Sequence, residues 1–370
     1  MKLGLDVSAV PNRPAGAGRY IMELAKRVPL VGPEVTLLTR HSDTARWLRM
    51  NSARLVVADI PDSRPARLIY ERFLLGRSET VRSLDVLHSP HYTMPHGSKT
   101  PVVVTIHDMT YFTNPQWHEK SKVQLFKRSI AYASTHAAAI VAVSDYTARQ
   151  LHEFAPARCP VVVAPHGVDL QRFNPTSNHA FDVSSLSGSS APYVFFVGTL
   201  EPRKGVDVLL RAFDEVADSD PDIELWIAGQ KGWGDSKITD ELQSLRHAQR
   251  VRMLGYVSDD ALEDLFRQAR VVAYPSRGEG FGLPVIEALA CGAVVITTRN
   301  TVMAELVGDA ATTVDIGDAA QLASAIIRLH TAGDAERTEI QRLGRLHAER
   351  YTWEACIARH LRAYEIAATS

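Results

Sequence analysis

Short apolar runs rich in Val and Ile alternate with amphipathic stretches along nearly the whole chain. That alternation limits the fold more than any other feature, because strands apolar on both faces belong to parallel sheets covered by helices, the product of repeated βαβ units. The first half predicts strands near Leu3–Val7, Glu34–Thr39, Arg54–Val57, Asp85–His88, Val102–Ile106, Ile140–Val143 and Val161–Ala164. The segment 177–192, SNHAFDVSSLSGSSAP, interrupts the series and reads as a linker. A second series follows near Tyr193–Val197, Glu224–Ala228, Val251–Leu254, Val271–Tyr274 and Val294–Thr297. At 370 residues the chain is too long for one ordinary domain. The expected architecture is therefore α/β, with two Rossmann-like domains over 1–180 and 181–350.

Ligands of such sheets lie outside the carboxyl ends of the strands, and polar residues gather there. His88 and Ser89, His107 and Asp108, Ser144 and Asp145, and His166 and Gly167 each follow a first-half strand, while Gly198, Gly229, Gly255 and Ser276 hold the equivalent places later. In VFFVGTLEPRKGVDVLLRAF, Arg203 and Lys204 fall just before a helix. Cations are poorly placed at that positive end unless an anion joins them, and Arg, Lys and free amides together suit a phosphate. A pair of solvated surface cations is the plain alternative. In YPSRGEGFGLPVIEALACG, glycines 278, 280 and 282 surround Glu279, and a helix is expected from Pro284 to about Gly292 with Glu287 in its first turn. The glycines admit diphosphate oxygens to the backbone, and Glu279 is suited to accept hydrogen bonds from sugar hydroxyls. Glu287 by itself is equally well explained as a favourable charge near a helix start.

PNRPAGAGRY offers Gly16 and Gly18 for close backbone contact, but it is not the dinucleotide fingerprint, whose third glycine and acidic residue are missing. In TIHD, His107 is a candidate hydrogen-bonding group that Asp108 would orient, set against the commoner structural role of a histidine at a strand end. A net charge of -1 gives no support for nucleic-acid binding. Arginines are dense between Arg40 and Arg82; they read as a solvated helix surface, with contact to an anionic membrane surface or a phosphorylated acceptor as the alternative. The opening MKLGLDVSAV lacks the apolar core of an export signal, so a cytoplasmic location is expected, with membrane association on the cytoplasmic face left open. Cys159, Cys291 and Cys356 have neither metal-site nor disulfide spacing and read as small buried side chains.

Taken in order, GAGRY, TIHD with FTNPQWH, VSDYTARQL, VAPHGVD, VGTLEPRKG and EGFGLPVIEALACG resemble the GT-B glycosyltransferases of family 4, over nearly the whole chain. The resemblance implies two domains facing across a cleft, transfer with retention of configuration, a nucleotide-sugar held by the C-terminal domain, and a glycan or lipid-linked acceptor held by the N-terminal one. It also implies that the last helix, about 351–370, crosses back to the first domain. Matching positions assigns the diphosphate to Arg203 and Lys204, the donor-sugar hydroxyls to Glu279 and the ribose to Glu287. Gly280, Phe281 and Gly282 would reach sugar or phosphate through their backbone, with Gly198, Val257 and Leu283 also on the donor side. Gly16 and Gly18 would meet the diphosphate from the first domain, His107 would stand at the reacting centre, and Asp108 and Trp117 would serve the acceptor. No D-x-D sequence ends a suitable strand, so no metal or other cofactor is expected. AGQKGWGDSK and the TIHD/FTNPQWH pair look like those of GDP-mannose enzymes, with a UDP-sugar as the alternative donor.

The missing fingerprint disfavours an NAD-dependent dehydrogenase, and the glutamate loop disfavours a nucleotide-sugar epimerase. A bilobed sugar-binding protein has no use for Arg203 and Lys204 at a helix start. A nucleotide-sugar-binding protein without transferase activity remains as the non-catalytic alternative.

Overall fold

The structure, a computed structural model, describes residues 1–370 apart from 13, 15, 51–54, 177–180, 231 and 233–235. Arg54, the start of the Ser-rich segment and much of AGQKGWGDSK therefore lie outside the described residues. The chain forms two compact units, one of 1–116, 120–167 and 353–370, the other of 117–119 and 168–352.

Among the described residues the first unit is built on seven parallel strands: β1 (Lys2–Asp6), β2 (Glu34–Arg40), β3 (Leu55–Ile60), β4 (Val86–Ser89), β5 (Val102–Ile106), β6 (Ala139–Ala142) and β7 (Val161–Val163), in the order β3-β2-β1-β4-β5-β6-β7. Strand β5 reads VVVTI and is buried at every position, as a strand covered on both faces must be. On one face Leu3 and Leu5 pack with Tyr20, Ile21 and Leu24 of the helix Ala17–Arg27. The helix Trp353–Ala368 closes the same face with Trp353, Ile357 and Tyr364. On the other face Leu38, Leu87, Val104 and Ile106 form a second core with Leu75 and Ile130. Several arginines of the dense stretch are committed locally rather than simply solvated: Arg40 bonds the Val10 carbonyl at 2.9 Å, and Arg46 bonds the Pro11 and Asn12 carbonyls at 3.0 and 3.3 Å.

The second unit contains β8 (Tyr193–Val197), β9 (Glu224–Ala228), β10 (Val251–Gly255), β11 (Val271–Tyr274), β12 (Val295–Thr298) and β13 (Thr312–Val314), all parallel, in the order β10-β9-β8-β11-β12-β13. The edge strand β13 is absent from the sequence reading, since its three residues, TTV, make no apolar run. The chain enters this unit at Val168, ahead of the Ser-rich segment, because the Val168 amide bonds the Tyr351 carbonyl at 3.0 Å. Residues 184–187 of the expected linker form a helical turn, and the Phe181 amide bonds Asp264 at 2.8 Å.

Strand order reverses between β1 and β4 in the first unit and between β8 and β11 in the second. Neighbouring strands there send their crossovers to opposite sides, which opens a crevice beyond their carboxyl ends. Among the described residues, no helix is long and apolar enough to cross a membrane.

Candidate active site

Beyond β8 the chain makes a tight turn over Pro202–Lys204, and Gly205 then caps the helix Val206–Ser219. Gly205 has φ +69°, and a Cβ there would lie 2.1 Å from the Pro275 carbonyl oxygen, so only glycine lets the two strand-end loops approach this closely. The loop after β11 is joined to this turn by its backbone. The Arg277 amide donates to the Arg203 carbonyl at 2.7 Å, and Ser276 Oγ donates to the same oxygen at 3.0 Å. The Arg277 guanidinium grips Asp207 in the first turn of the helix at 2.8 and 2.5 Å.

These ties bring Arg203, Lys204 and Glu279 into one cluster. Arg203 Nη1 donates to Glu279 Oε2 at 2.5 Å, and Lys204 Nζ donates to Glu279 Oε1 and, at 2.8 Å, to Tyr274 OH. Ser276 Oγ adds a bond to Glu279 Oε1 at 2.9 Å. Lys204 and Glu279 are only 8% and 9% exposed, so water screens their charges little. Burial works to raise the Glu279 carboxyl, but the charges of Arg203 and Lys204 hold it down at about 2. Lys204 is pushed below the ordinary lysine range by burial and by Arg203, with Glu279 opposing. The sequence pointed the two cations at phosphate and Glu279 at sugar; the structure bonds them to one another as well.

Gly282, at φ +120°, caps the helix Leu283–Ala290. That helix begins one residue before Pro284, which puts Glu287 in its second turn rather than its first, and the side chain is buried at 6% exposure. Gly280 joins the same loop, Phe281 is buried with its ring centroid 5.9 Å from that of Tyr351 in an edge-on arrangement, and Leu283 is also buried. Gly198 donates its amide to the Ala228 carbonyl at 3.0 Å, and buried Val257 follows β10.

In the first unit His107 follows β5, and its Nε2 lies 2.9 Å from the Pro90 carbonyl oxygen. A carbonyl can only accept, so Nε2 carries the proton and Nδ1 keeps its lone pair. Burial lowers the proton affinity of His107, with the Pro90 bond and the Asp108 charge opposing. Asp108 does not orient His107 by a hydrogen bond, contrary to the sequence expectation. Its oxygens are taken by the Thr110 amide and hydroxyl, at 3.0 and 2.5 Å, and by Tyr92 OH at 2.9 Å. Gly16 is the exposed cap of the helix Ala17–Arg27, at φ +47°, whereas Gly18 is buried against Pro11 and Pro14. Trp117, assigned to the acceptor side, groups with the second unit.

A hydrogen-bonded chain behind His107 was not visible in the sequence, because its members come from four distant segments. His360 Nδ1 donates to the Cys356 carbonyl at 2.8 Å, so its Nε2 accepts from Tyr20 OH at 2.6 Å. Tyr20 in turn accepts from Thr105 Oγ1 at 2.9 Å, Thr105 accepts from His88 Nε2 at 2.8 Å, and His88 Nδ1 accepts from Tyr364 OH at 2.9 Å. With both histidines neutral every link has one donor and one acceptor, and burial does lower both, His360 to about 4. The Tyr20 ring packs on His107 and His166, which explains the tyrosine of GAGRY.

Residues 14–172 match the family described as Glycosyltransferase Family 4, and residues 179–345 match Glycosyl transferases group 1. The chain is 28% identical to O-antigen chain mannosyltransferase B of Escherichia coli, over 99% of this chain and 100% of the relative. It is also 28% identical to a D-inositol 3-phosphate glycosyltransferase of Jonesia denitrificans, over 95% of this chain and 91% of the relative. Among solved structures, sucrose-phosphate synthase of Thermosynechococcus elongatus is similar with a TM-score of 0.79 at 19% identity, with the whole of both chains covered.

Proposed function

The chain belongs to glycosyltransferase family 4, and from that premise we propose that it moves a hexose, mannose from GDP-mannose, to a glycan or lipid-linked acceptor with retention of configuration. It is a transferase of the GT-B fold. The observation that carries the donor side is the buried cluster of Arg203, Lys204 and Glu279 at the strand-order reversal of the second unit, beside a helix start. A diphosphate placed there would take the two cations as counter-charges and leave Glu279 to the sugar hydroxyls. As the sugar–phosphate bond breaks, charge grows on the phosphate oxygen, and Arg203, Lys204 and the helix dipole stabilise it without requiring a metal ion. The departing oxygen takes the acceptor's proton on the same face of the sugar. In the first unit His107 serves the acceptor, its Nδ1 lone pair receiving a hydroxyl's hydrogen bond. The likeness to the Escherichia coli mannosyltransferase supports mannose as the sugar.

Thermal unfolding with GDP, UDP, GDP-mannose or UDP-glucose, each in EDTA and in Mg²⁺, tests the donor, since a ligand of the native state raises the melting temperature. The expected result is a GDP-selective shift that persists in EDTA. A UDP-selective shift overturns the sugar, and no shift with any nucleotide overturns the donor site. Arg203→Ala and Lys204→Ala should each lower kcat by about 10²–10³; near-normal turnover in both would remove them from catalysis.

A further inference from the structure

The loop after β4 carries a buried ionic group that the proposed reaction leaves unused. His91 stands between two carboxylates: its Nε2 is 3.4 Å from Asp6 Oδ2, at the end of β1, and its Nδ1 is 3.6 Å from Glu71 Oε1, on the helix Arg64–Phe73. Thr93 spends its one hydroxyl proton on Glu71, so its oxygen must accept from His91 Nδ1, 2.8 Å away. Asp6 and Glu71 are 0% and 1% exposed. Arg67, with Nη1 3.6 Å from Glu71 Oε2, supplies one positive charge against the two carboxylates. With both carboxylates ionised the group is balanced when His91 carries a proton on both nitrogens, and an unbalanced buried carboxylate is costly. Burial raises the proton affinity of Glu71 itself, with the His91 and Arg67 charges opposing, and the Thr93 hydroxyl bond favours the ionised carboxylate. The three side chains are also close enough to share a metal ion. Arg67 would then face a dication across Glu71, so a proton is the better counter-charge.

His91 is joined to Pro90 by a planar peptide bond. The plane that holds the His91 backbone therefore also aims the Pro90 carbonyl, the oxygen that accepts from His107 Nε2 at 2.9 Å. We propose that His91, held as an imidazolium between Asp6 and Glu71, is a positioning residue for His107, fixing its tautomer and ring direction through the Pro90 carbonyl. For catalysis this rests on the acceptor-side role given to His107 above.

The clamp has a pH sign. Burial presses His91 towards the neutral form, but Glu71 and Asp6 overcome it and raise its proton affinity, with Arg67 opposing. A histidine raised in the folded state contributes below its ordinary value, and the contribution is lost as pH rises through the raised one. The groups facing His91 are Asp6 from β1 and Glu71 and Arg67 from the helix; His88 and His107 also feel its charge and are lowered by it. Of the two histidines only His91 then loses a proton on the alkaline side, because His107 is already neutral; deprotonation of Lys204, which is also lowered, is told apart because it does not move with Asp6 or Glu71.

The test is a histidine-selective ¹⁵N NMR titration of the full chain, paired with the pH profile of turnover on GDP-mannose and UDP-glucose. His91 should titrate above the free-histidine value, and the Nε2–H form of His107 should give way to a mixture over the same pH range. Asp6→Asn and Glu71→Gln should each move that titration, and the alkaline limb with it, about one unit or more lower. His91→Gln should lower kcat at least tenfold, leave the donor KM unchanged and abolish the limb. A His107 tautomer indifferent to His91, or a limb unmoved in all three variants, would overturn the proposal. So would tight binding of Zn²⁺ or Mn²⁺ that Asp6→Asn removes. If neither nucleotide-sugar is consumed, the transferase reading of the site fails while the titration still decides the clamp. If His91→Gln does not fold, the two carboxylate variants carry the test.

Discussion

Glu279 accepts from Arg203, Lys204, Ser276 and Tyr274 at once, so its removal should be felt before any substrate arrives. Replacement by Gln takes the bonded carboxylate from buried Lys204 and leaves half-buried Arg203 with Glu201, and breaking one side of a buried ion pair costs about 3–5 kcal/mol. Glu279→Gln should therefore lower the melting temperature markedly, and GDP should raise it by more than in the wild type because the phosphates replace the missing anion. An equal GDP shift in the two proteins would mean that the diphosphate binds elsewhere. Arg203 and Lys204 were legible in the sequence because cations just before a helix violate a local rule, and a violated rule asks for a reason. The partners of Asp108 were not: Tyr92 lies on another loop, and no spacing along the chain shows that its hydroxyl takes the carboxylate from His107.

Among the elements, strands buried on both faces were plain from composition, since a run such as VVVTI has no polar side to present. Short or polar elements were not: β13 has two threonines in three residues, and a one-residue shift in the start of the helix Leu283–Ala290 takes Glu287 just out of the first turn. The helix Trp353–Ala368 shows what pairing at a distance does for an element. Through Tyr364 and His360 it supplies both ends of the chain of hydrogen bonds that runs over Thr105 and Tyr20. Tyr364→Phe leaves the buried His88 Nδ1 without its donor and should cost about 1–3 kcal/mol, read from the denaturation midpoint. The nucleotide-induced shift, which the proposed donor site assigns to the second unit, should survive. A midpoint within error of the wild type would show that His88 finds another partner.

For the molecule as a whole, His88, His166 and His360 are buried and their proton affinities are lowered by burial and by neighbouring histidines or, for His360, despite its bond to Cys356. The unfolded chain takes up protons that these sites refuse, so their contribution is present above the ordinary histidine value and is lost as pH falls through the lowered one. For His360 the window runs from 6.5 to about 4, a loss of about 3 kcal/mol. Calorimetry across that range should show the first unit weakening ahead of the second; parallel loss in both would place acid sensitivity elsewhere. The division of the chain bears on synthesis as well. The six described strands of the second unit lie between Tyr193 and Val314, whereas the first unit obtains its closing helix only from Trp353 onward. A chain growing towards its C-terminus must therefore hold the apolar face of Val103, Ala139 and Val141, against which that helix packs, uncovered while the whole second sheet is made, and of the two units the one begun first is the last to be finished.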